Sequence, residues 1–279
     1  MTNLVSSRKE RLSFFTASSH PGKIRANNED NFYCDGEIST SQKIYFQSGA
    51  LPLSAIWAVC DGMGGESHGE LASFIAVRTL DEHAEKIKSQ VSFGRVNEAV
   101  QDFISEANSK LCNIMRKNSF RMGTTLALAI ISNDFVRCYN IGDSRIYKLQ
   151  DEIFSQISED HTVAEQKVKM GLLTAEEARH DKSKHLLTRC LGVFDDEMIL
   201  TPYVSPPFPA DKEYRLLLCS DGLTDMLPDE HIKSIMLKYK ETSSAVKALV
   251  DSALQNGGRD NITCIIIDSK PTGNHEEND

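Results

Sequence analysis

Apolar and polar positions alternate along this chain with a period that changes several times, and each change marks an element. The runs "RLSFFTAS" (Arg11–Ser18) and "NFYCD" (Asn31–Asp35) predict strands on either side of a polar loop, "SHPGKIRANNED", and "AIWAVC" (Ala55–Cys60) predicts a third. From Glu66 the period becomes helical. Ser67 and Glu70 have the spacing of a capping box, and Leu71, Phe74, Ile75 and Leu80 then recur at helical intervals. A second helix is expected over Val96–Arg116, with Val100, Phe103, Ile104, Ala107, Leu111 and Met115 on one face.

Three more strands follow, "TTLALAII", "FVRCYNI" and "RIYKL", with hairpin turns expected at Asn133-Asp134 and at Gly142-Asp143-Ser144. Thr162–Gly171 and Thr174–His180 read as short helices, the second opened by a Thr174/Glu177 capping box. "MILTPYVS" and "YRLLLCS" resume the strand pattern. Asp229 is expected to cap a helix reaching Tyr239, and Ser243 begins another that stops near Asn256-Gly257-Gly258. "NITCIIID" is the last strand, and the polar tail "SKPTGNHEEND" is expected to fray.

Strands come in runs and helices in pairs, which predicts an α+β fold with antiparallel sheets. A four-layer αββα sandwich, two sheets face to face with helix pairs outside, uses every element. No internal repeat or linker interrupts the pattern, so residues 1–270 read as one domain followed by a short tail, 271–279.

Composition narrows the function. The 279 residues carry 31 Lys+Arg against 40 Asp+Glu, a net charge of −9. That balance argues against nucleic-acid and anionic-membrane partners, which draw affinity from clustered Lys and Arg. Seven cysteines without a CxxC pair, several inside apolar runs, read as reduced core thiols. The N-terminal "MTNLVSSRKERL" has no apolar signal-peptide core, and the longest apolar stretch, Thr125–Ile131, is far too short to span a bilayer. The expectation is a cytoplasmic monomer.

The candidate chemistry lies at the ends of strands. Asp61 follows "AIWAVC", Asp143 follows "FVRCYNIG", Asp221 follows "RLLLCS" and Asp260 precedes "NITCIIID"; Glu29-Asp30 opens "NFYCD". Gly62, Gly142 and Gly222 adjoin three of them. One Asp-Gly after a strand is most often a turn. If several such carboxylates converge, each pair near 5 Å repels by about 3 kcal/mol at an effective dielectric of 20, so a cluster needs a cation or protons. Oxygen-only donors suit Mg²⁺ and Mn²⁺.

Eight stretches in order carry a family resemblance: "RANNEDNFYCDG", "WAVCDGMGGESHGELAS", "RMGTTLALAII", "YNIGDSRIY", "SEDHT", "LLTRCLG", "LLLCSDGLTDML" and "GGRDNITCIIID". Over roughly Leu12–Asp268 the chain resembles the metal-dependent serine/threonine protein phosphatases of type 2C, in their bacterial form. The resemblance implies a hydrolase of phosphoserine and phosphothreonine, with two Mg²⁺ or Mn²⁺ ions and a shared water as the nucleophile. Asp61 matches the bridging aspartate, and the Gly62 carbonyl matches a ligand to one ion. Asp221 and Asp260 match ligands to the other. Glu29 and Asp30 match an acidic pair that binds directly or through ordered water. Arg25 matches the arginine that grips the substrate phosphate.

Asp143 matches a carboxylate that helps hold a third metal in bacterial members, with Asp160 a further candidate there; the alternative for Asp143 is a hairpin turn bonded to its own backbone. Met63 stands where animal members carry a histidine assigned as general acid, which leaves the acid unassigned: His68 is a candidate by its nearness in sequence, though it reads first as a solvent-facing residue near the helix start, and a metal-bound water is the alternative. Arg145 and Arg189 read as structural ion pairs or backbone donors, Trp57 as core, and Gly123-Thr124-Thr125 as the start of a buried strand. Ser158–Gly192 reads as a flap that carries substrate choice. The implied partners are phosphoprotein substrates and an opposing serine/threonine kinase. Two rivals remain, a non-catalytic phosphoprotein binder and a two-metal nuclease. The first should have lost a ligand, and the second needs a basic groove.

Overall fold

A computed structural model describes residues 11–39, 45–52, 54–64, 68–132, 134–194 and 200–271. Two antiparallel sheets stack face to face. The eight-stranded sheet contains β2 (Asp30–Cys34), β3 (Glu37–Ile38), β5 (Ala55–Met63), β6 (Gly123–Thr124), β7 (Leu126–Ile131), β8 (Phe135–Ile141), β11 (Tyr203–Val204) and β12 (Phe208–Pro209). Its main path runs β11-β8-β7-β5-β2-β3. The other sheet runs β10-β9-β13-β14-β1-β4, from β1 (Arg11–His20), β4 (Tyr45–Pro52), β9 (Arg145–Gln150), β10 (Ile153–Gln156), β13 (Tyr214–Cys219) and β14 (Ile262–Pro271).

The strand β5 shows why the run "AIWAVC" has no polar face. Trp57 and Val59 point between the sheets, among Phe15, Phe32, Leu216 and Ile265, whereas Ile56, Ala58 and Cys60 point outward under helices. Those helices are α1 (His68–Lys88) and α2 (Phe93–Asn118). On the far side α6 (Asp229–Lys238) and α7 (Thr242–Gln255) cover Cys264 and Ile266 of β14. The four layers are therefore α, β, β, α, the expected sandwich. Every strand facing both an inner and an outer core must be apolar on both sides.

Several elements differ from the pattern-based reading. The expected α1 face is rotated: Leu71 and Phe74 are 37% and 38% exposed, while Ala72, Ser73, Ala76, Val77 and Leu80 are buried. Small side chains let the helix axis approach the sheet, and closeness outweighs bulk in choosing the face. The proposed Ser67 cap and Asn133 of the first turn lie outside the described residues, although β7 and β8 do pair as a hairpin. Gly142-Asp143-Ser144 is not a hairpin: β8 and β9 belong to different sheets, and Gly142, at φ +99°, turns the chain across from one to the other. The true hairpin follows β9, through Asp151 and Glu152 at φ +50° and +62°. Pro228 rather than Asp229 occupies the cap position of α6, and β14 continues through Pro271, so the start of the expected tail is paired with β1. Of the strand expected at "MILTPYVS" (198–205), 198–199 lie outside the described residues and only Tyr203–Val204 are extended in the sheet. The capping box at Thr174 and Glu177 is present, opening α4 (Ala175–His180), with α3 (Val163–Lys169) before it.

Trp57 is fully buried, and all seven cysteines are buried and free of disulfides. Burial pushes the Cys138 and Cys264 thiols up to about 12, so neither is a poised nucleophile. Among the described residues no helix is long and apolar enough to cross a membrane.

One buried ion pair ties β13 to β14. Arg215 donates through Nε and Nη2 to Asp268 at 2.6 and 2.7 Å, and its Nη1 donates to the carbonyls of Met236 and Tyr239. Asp268→Ala leaves that guanidinium buried without its counter-charge, so urea unfolding should show a loss of about 3–5 kcal/mol. A loss below about 1 kcal/mol would mean that water reaches the site and the pair is dispensable.

Candidate metal centre

The acidic strand ends meet at one edge of the sandwich because both sheets deliver them there. Asp30 opens β2 and stands directly opposite Asp61 of β5 in the antiparallel register. Side chains of such a pair share a face, with Cβ atoms about 5 Å apart, and like charges there repel. From the other sheet, Ser220 at the end of β13 donates its hydroxyl to Asp30 Oδ2 at 2.7 Å. The Thr263 backbone N–H donates to the same Ser220 hydroxyl at 3.0 Å, which locks the end of β13 to the start of β14. Asp221 follows Ser220 as the first residue of a one-turn helix, α5 (Asp221–Thr224).

Asp260 is drawn in by its neighbour Asn261. Asn261 Oδ1 accepts the Glu29 backbone N–H at 2.8 Å, and Asn261 Nδ2 donates to the carbonyls of Pro21 and Asn27. Arg25 Nη2 donates to Asp260 Oδ2 at 2.6 Å, and the guanidinium remains half exposed at the mouth of the site.

Glycines make the approach possible. A Cβ on Gly62 would meet the Gly69 carbonyl oxygen at 2.0 Å, and one on Gly222 would meet that of Asn261 at 1.9 Å. Any side chain at either position would push apart backbone that carries the carboxylates. Asp61 is also pinned through its backbone. Its N–H donates to Thr125 Oγ1 at 2.9 Å, and its carbonyl accepts from the Thr125 N–H and the Thr124 hydroxyl.

Electrostatics confirms the crowding. Burial, then the charges of Asp30, Asp221, Asp143 and Asp260, hold the Asp61 carboxyl well above the usual range. Asp143 is raised in the same way, by burial and then by Asp221 and Asp160. Burial pushes Asp30 up to about 7, against the opposing pull of its hydroxyl donors. Burial also raises Glu29, which Arg25 partly offsets. Asp30 Oδ1, in a residue only 3% exposed, finds no hydrogen-bond partner among the described residues. A buried acceptor left empty amid carboxylates fits a divalent cation: the donors are hard oxygens, and a cation removes the repulsion that protons otherwise must.

The remaining candidates separate. Asp143, in the crossover between sheets, offers an oxygen within 4.8 Å of donor atoms on Asp221 and His185. Asp160 does not join them. Arg145 clamps it with Nε and Nη2 at 2.6–3.0 Å, and Gln156 Nε2 donates to its Oδ1 at 2.8 Å. An arginine two residues from Asp143 thus takes the carboxylate expected as a third donor. Arg189 donates to the Thr201 carbonyl, a backbone bond as expected. His68 stacks on Phe120, with centroids 3.8 Å apart.

His185 escaped the sequence reading. Its Nδ1 lies 3.2 Å from Asp221 Oδ2 and its Nε2 3.2 Å from Asp225 Oδ2. It lies in the polar flap without any periodic or motif context, so no sequence signal marks it. The flap itself, with α3 and α4, closes one wall of a cleft of about 880 Å³ that reaches Asp143 and Asp221. Its base is tied to the Asp143 corner, where the His161 N–H donates to the Gly142 carbonyl and the Gly142 N–H to His161 Nδ1.

Known proteins share this sequence and fold. The family model described as protein phosphatase 2C matches residues 45–256. The serine/threonine phosphatase stp of Listeria innocua is 32% identical over 251 residues, covering 88% of this chain and 92% of the relative. The crystal structure of the Mycobacterium tuberculosis serine/threonine phosphatase PstP superposes with a TM-score of 0.76 at 30% identity, over 92% of this chain and 98% of that one. A structure of the PstP catalytic domain in complex with two manganese ions gives 0.73 at 30% identity, over 92% and 99%. A match across most of the length, in sequence and in fold, places this chain in the protein phosphatase 2C family.

Proposed function

We propose that this protein hydrolyses phosphoserine and phosphothreonine in phosphoprotein substrates at a binuclear Mg²⁺ or Mn²⁺ centre. The observation that carries the proposal is the convergence of Asp30, Asp143, Asp221 and Asp260 on the buried Asp61 carboxyl, with Asp30 Oδ1 buried and without a hydrogen-bond partner among the described residues. Asp61, with the Gly62 carbonyl, Asp221 and Asp260, would hold the ions, and Glu29 and Asp30 would hold them directly or through water. When bound, the cations supply an activated water at neutral pH and a counter-charge for the phosphoryl oxygens.

The chain's own residues do the rest. Arg25 lies over the carboxylates with one carboxylate contact and its remaining face toward solvent, where it can exchange Asp260 for phosphoryl oxygens. Thr124 and Thr125 fix the Asp61 backbone, and Ser220 fixes Asp30, so the acidic groups keep their positions as charge changes. Met63 carries no exchangeable proton, and the ring of His68 is engaged with Phe120. The flap over 158–192 would choose among phosphopeptides, in a single catalytic domain over residues 1–270. The reading extends to a cytoplasmic monomer that opposes a serine/threonine kinase, since phosphoserine must come from a kinase.

The test is release of phosphate from a phosphothreonine peptide with Mn²⁺, with and without EDTA. Turnover that persists after chelation and dialysis would sink the proposal. Tight Mn²⁺ binding without turnover would favour the non-catalytic reading. Arg25→Ala should lower kcat/KM by about 10–100-fold, the worth of a charged hydrogen bond, with Mn²⁺ affinity unchanged. An unaltered kcat/KM would remove Arg25 from phosphate binding.

A further inference from the structure

We infer that His185 is a metal ligand: the flap delivers its imidazole to a cation site between Asp143 and Asp221. This makes the site a mixed nitrogen–oxygen one that favours Mn²⁺ or Zn²⁺ over Mg²⁺. The inference rests on the reading of the neighbouring carboxylates as a metal centre.

Three observations support it. Donor atoms of Asp143, His185 and Asp221 all lie within 4.8 Å of one another, a span that small side-chain movements close around one ion. Each ring nitrogen of His185 faces a carboxylate. Nε2 meets Asp225 at 3.2 Å, and Lys184 Nζ in turn holds Asp225 at 2.9 Å. A carboxylate behind a histidine fixes its tautomer and orientation and raises the basicity of the other nitrogen, the usual support of a ligating imidazole. Here that other nitrogen is Nδ1, directed at Asp221. Finally, Asp160, the flap carboxylate expected at this corner, has both oxygens engaged by Arg145 and Gln156. That leaves the imidazole as the flap donor within reach of both Asp143 and Asp221.

The consequences follow from donor chemistry. Imidazole suits borderline transition cations, and Mg²⁺ prefers oxygen and keeps its waters. The cleft beside His185, and the half-exposed imidazole itself, give a cation a path inward. Because His185 follows α4 in the flap, an ion bound there joins the flap to Asp143 at the crossover and to Asp221 at the start of α5.

Electron spin echo envelope modulation on the full chain loaded with Mn²⁺ tests this. Wild type should show ¹⁴N modulation of the kind given by a directly bound imidazole, and His185→Gln should lose it. Equilibrium titration should show two tighter Mn²⁺ sites unchanged by that substitution and a third weakened at least about tenfold. Mg²⁺ should displace Mn²⁺ from this third site less readily than from the other two. A wild-type spectrum without ¹⁴N modulation overturns the inference even if the variant misfolds. So does modulation that survives in His185→Gln. Either result leaves the binuclear centre intact, whereas failure of wild type to bind Mn²⁺ at all overturns both.

Discussion

Asp61→Asn should lower turnover of a phosphothreonine peptide by on the order of 10³-fold, about 4 kcal/mol of transition-state stabilisation. The substitution keeps the shape of the side chain and its backbone bonds to Thr124 and Thr125, so the fold around it is unchanged. What disappears is the negative charge facing Asp30 across the β2–β5 pair. The same change should have the opposite sign in stability. In EDTA the variant should melt a few degrees higher than wild type, because one member of a repelling cluster has become neutral. Loss of activity with gain of metal-free stability separates a ligand from a structural aspartate, whose removal would lower both. A variant that turns over at the wild-type rate with Mn²⁺ and melts no higher in EDTA would show that Asp61 takes no part in the centre.

The second large effect is the dependence of metal-free stability on pH. Burial holds Asp30 at about 7, against an ordinary value of 3.8, and raises Asp61 and Asp143 in the same direction. A carboxyl raised on folding binds its proton more tightly in the native state. It therefore costs nothing below about pH 4, and it destabilises progressively as pH rises through 7. The EDTA-treated protein should lose roughly 3 kcal/mol between pH 5 and pH 7.5, opposite in sign to proteins whose carboxylates are salt-bridged. Saturating Mn²⁺ should cancel the loss, since an ion at 100 times its dissociation constant contributes about 2.7 kcal/mol and the bound ligands no longer need protons. Melting temperature across that range, with and without Mn²⁺, is the measurement. A metal-free curve that is flat or rising would show that the acidic groups do not meet.

Much of this was legible in the residue pattern. Runs such as "AIWAVC" and "NITCIIID", apolar on both faces, require strands covered on both sides, and helices in pairs supply the cover. The carboxylates at strand ends stand out for the same reason, since a buried strand carries an Asp where it emerges or, as at Asp268, where a buried arginine meets it. Other features were hidden. On α1, Leu71 and Phe74 dominate the hydrophobic pattern, yet the alanines and serine are the buried residues that turn to the sheet. Gly142-Asp143 looks like any Gly-Asp turn, and only the partners of β8 and β9 reveal a crossover between sheets.

By itself the sequence determined the layers, the acidic strand ends and the glycines beside them, because hydrophobic periodicity and local turn chemistry act over a few residues. Tertiary structure alone decided which groups meet. Asp30 faces Asp61 through strand register, Arg145 engages Asp160, and His185 comes within reach of Asp143 and Asp221. Those pairings join residues far apart in the chain, and their geometry follows from how two sheets and a flap pack, which no local pattern encodes.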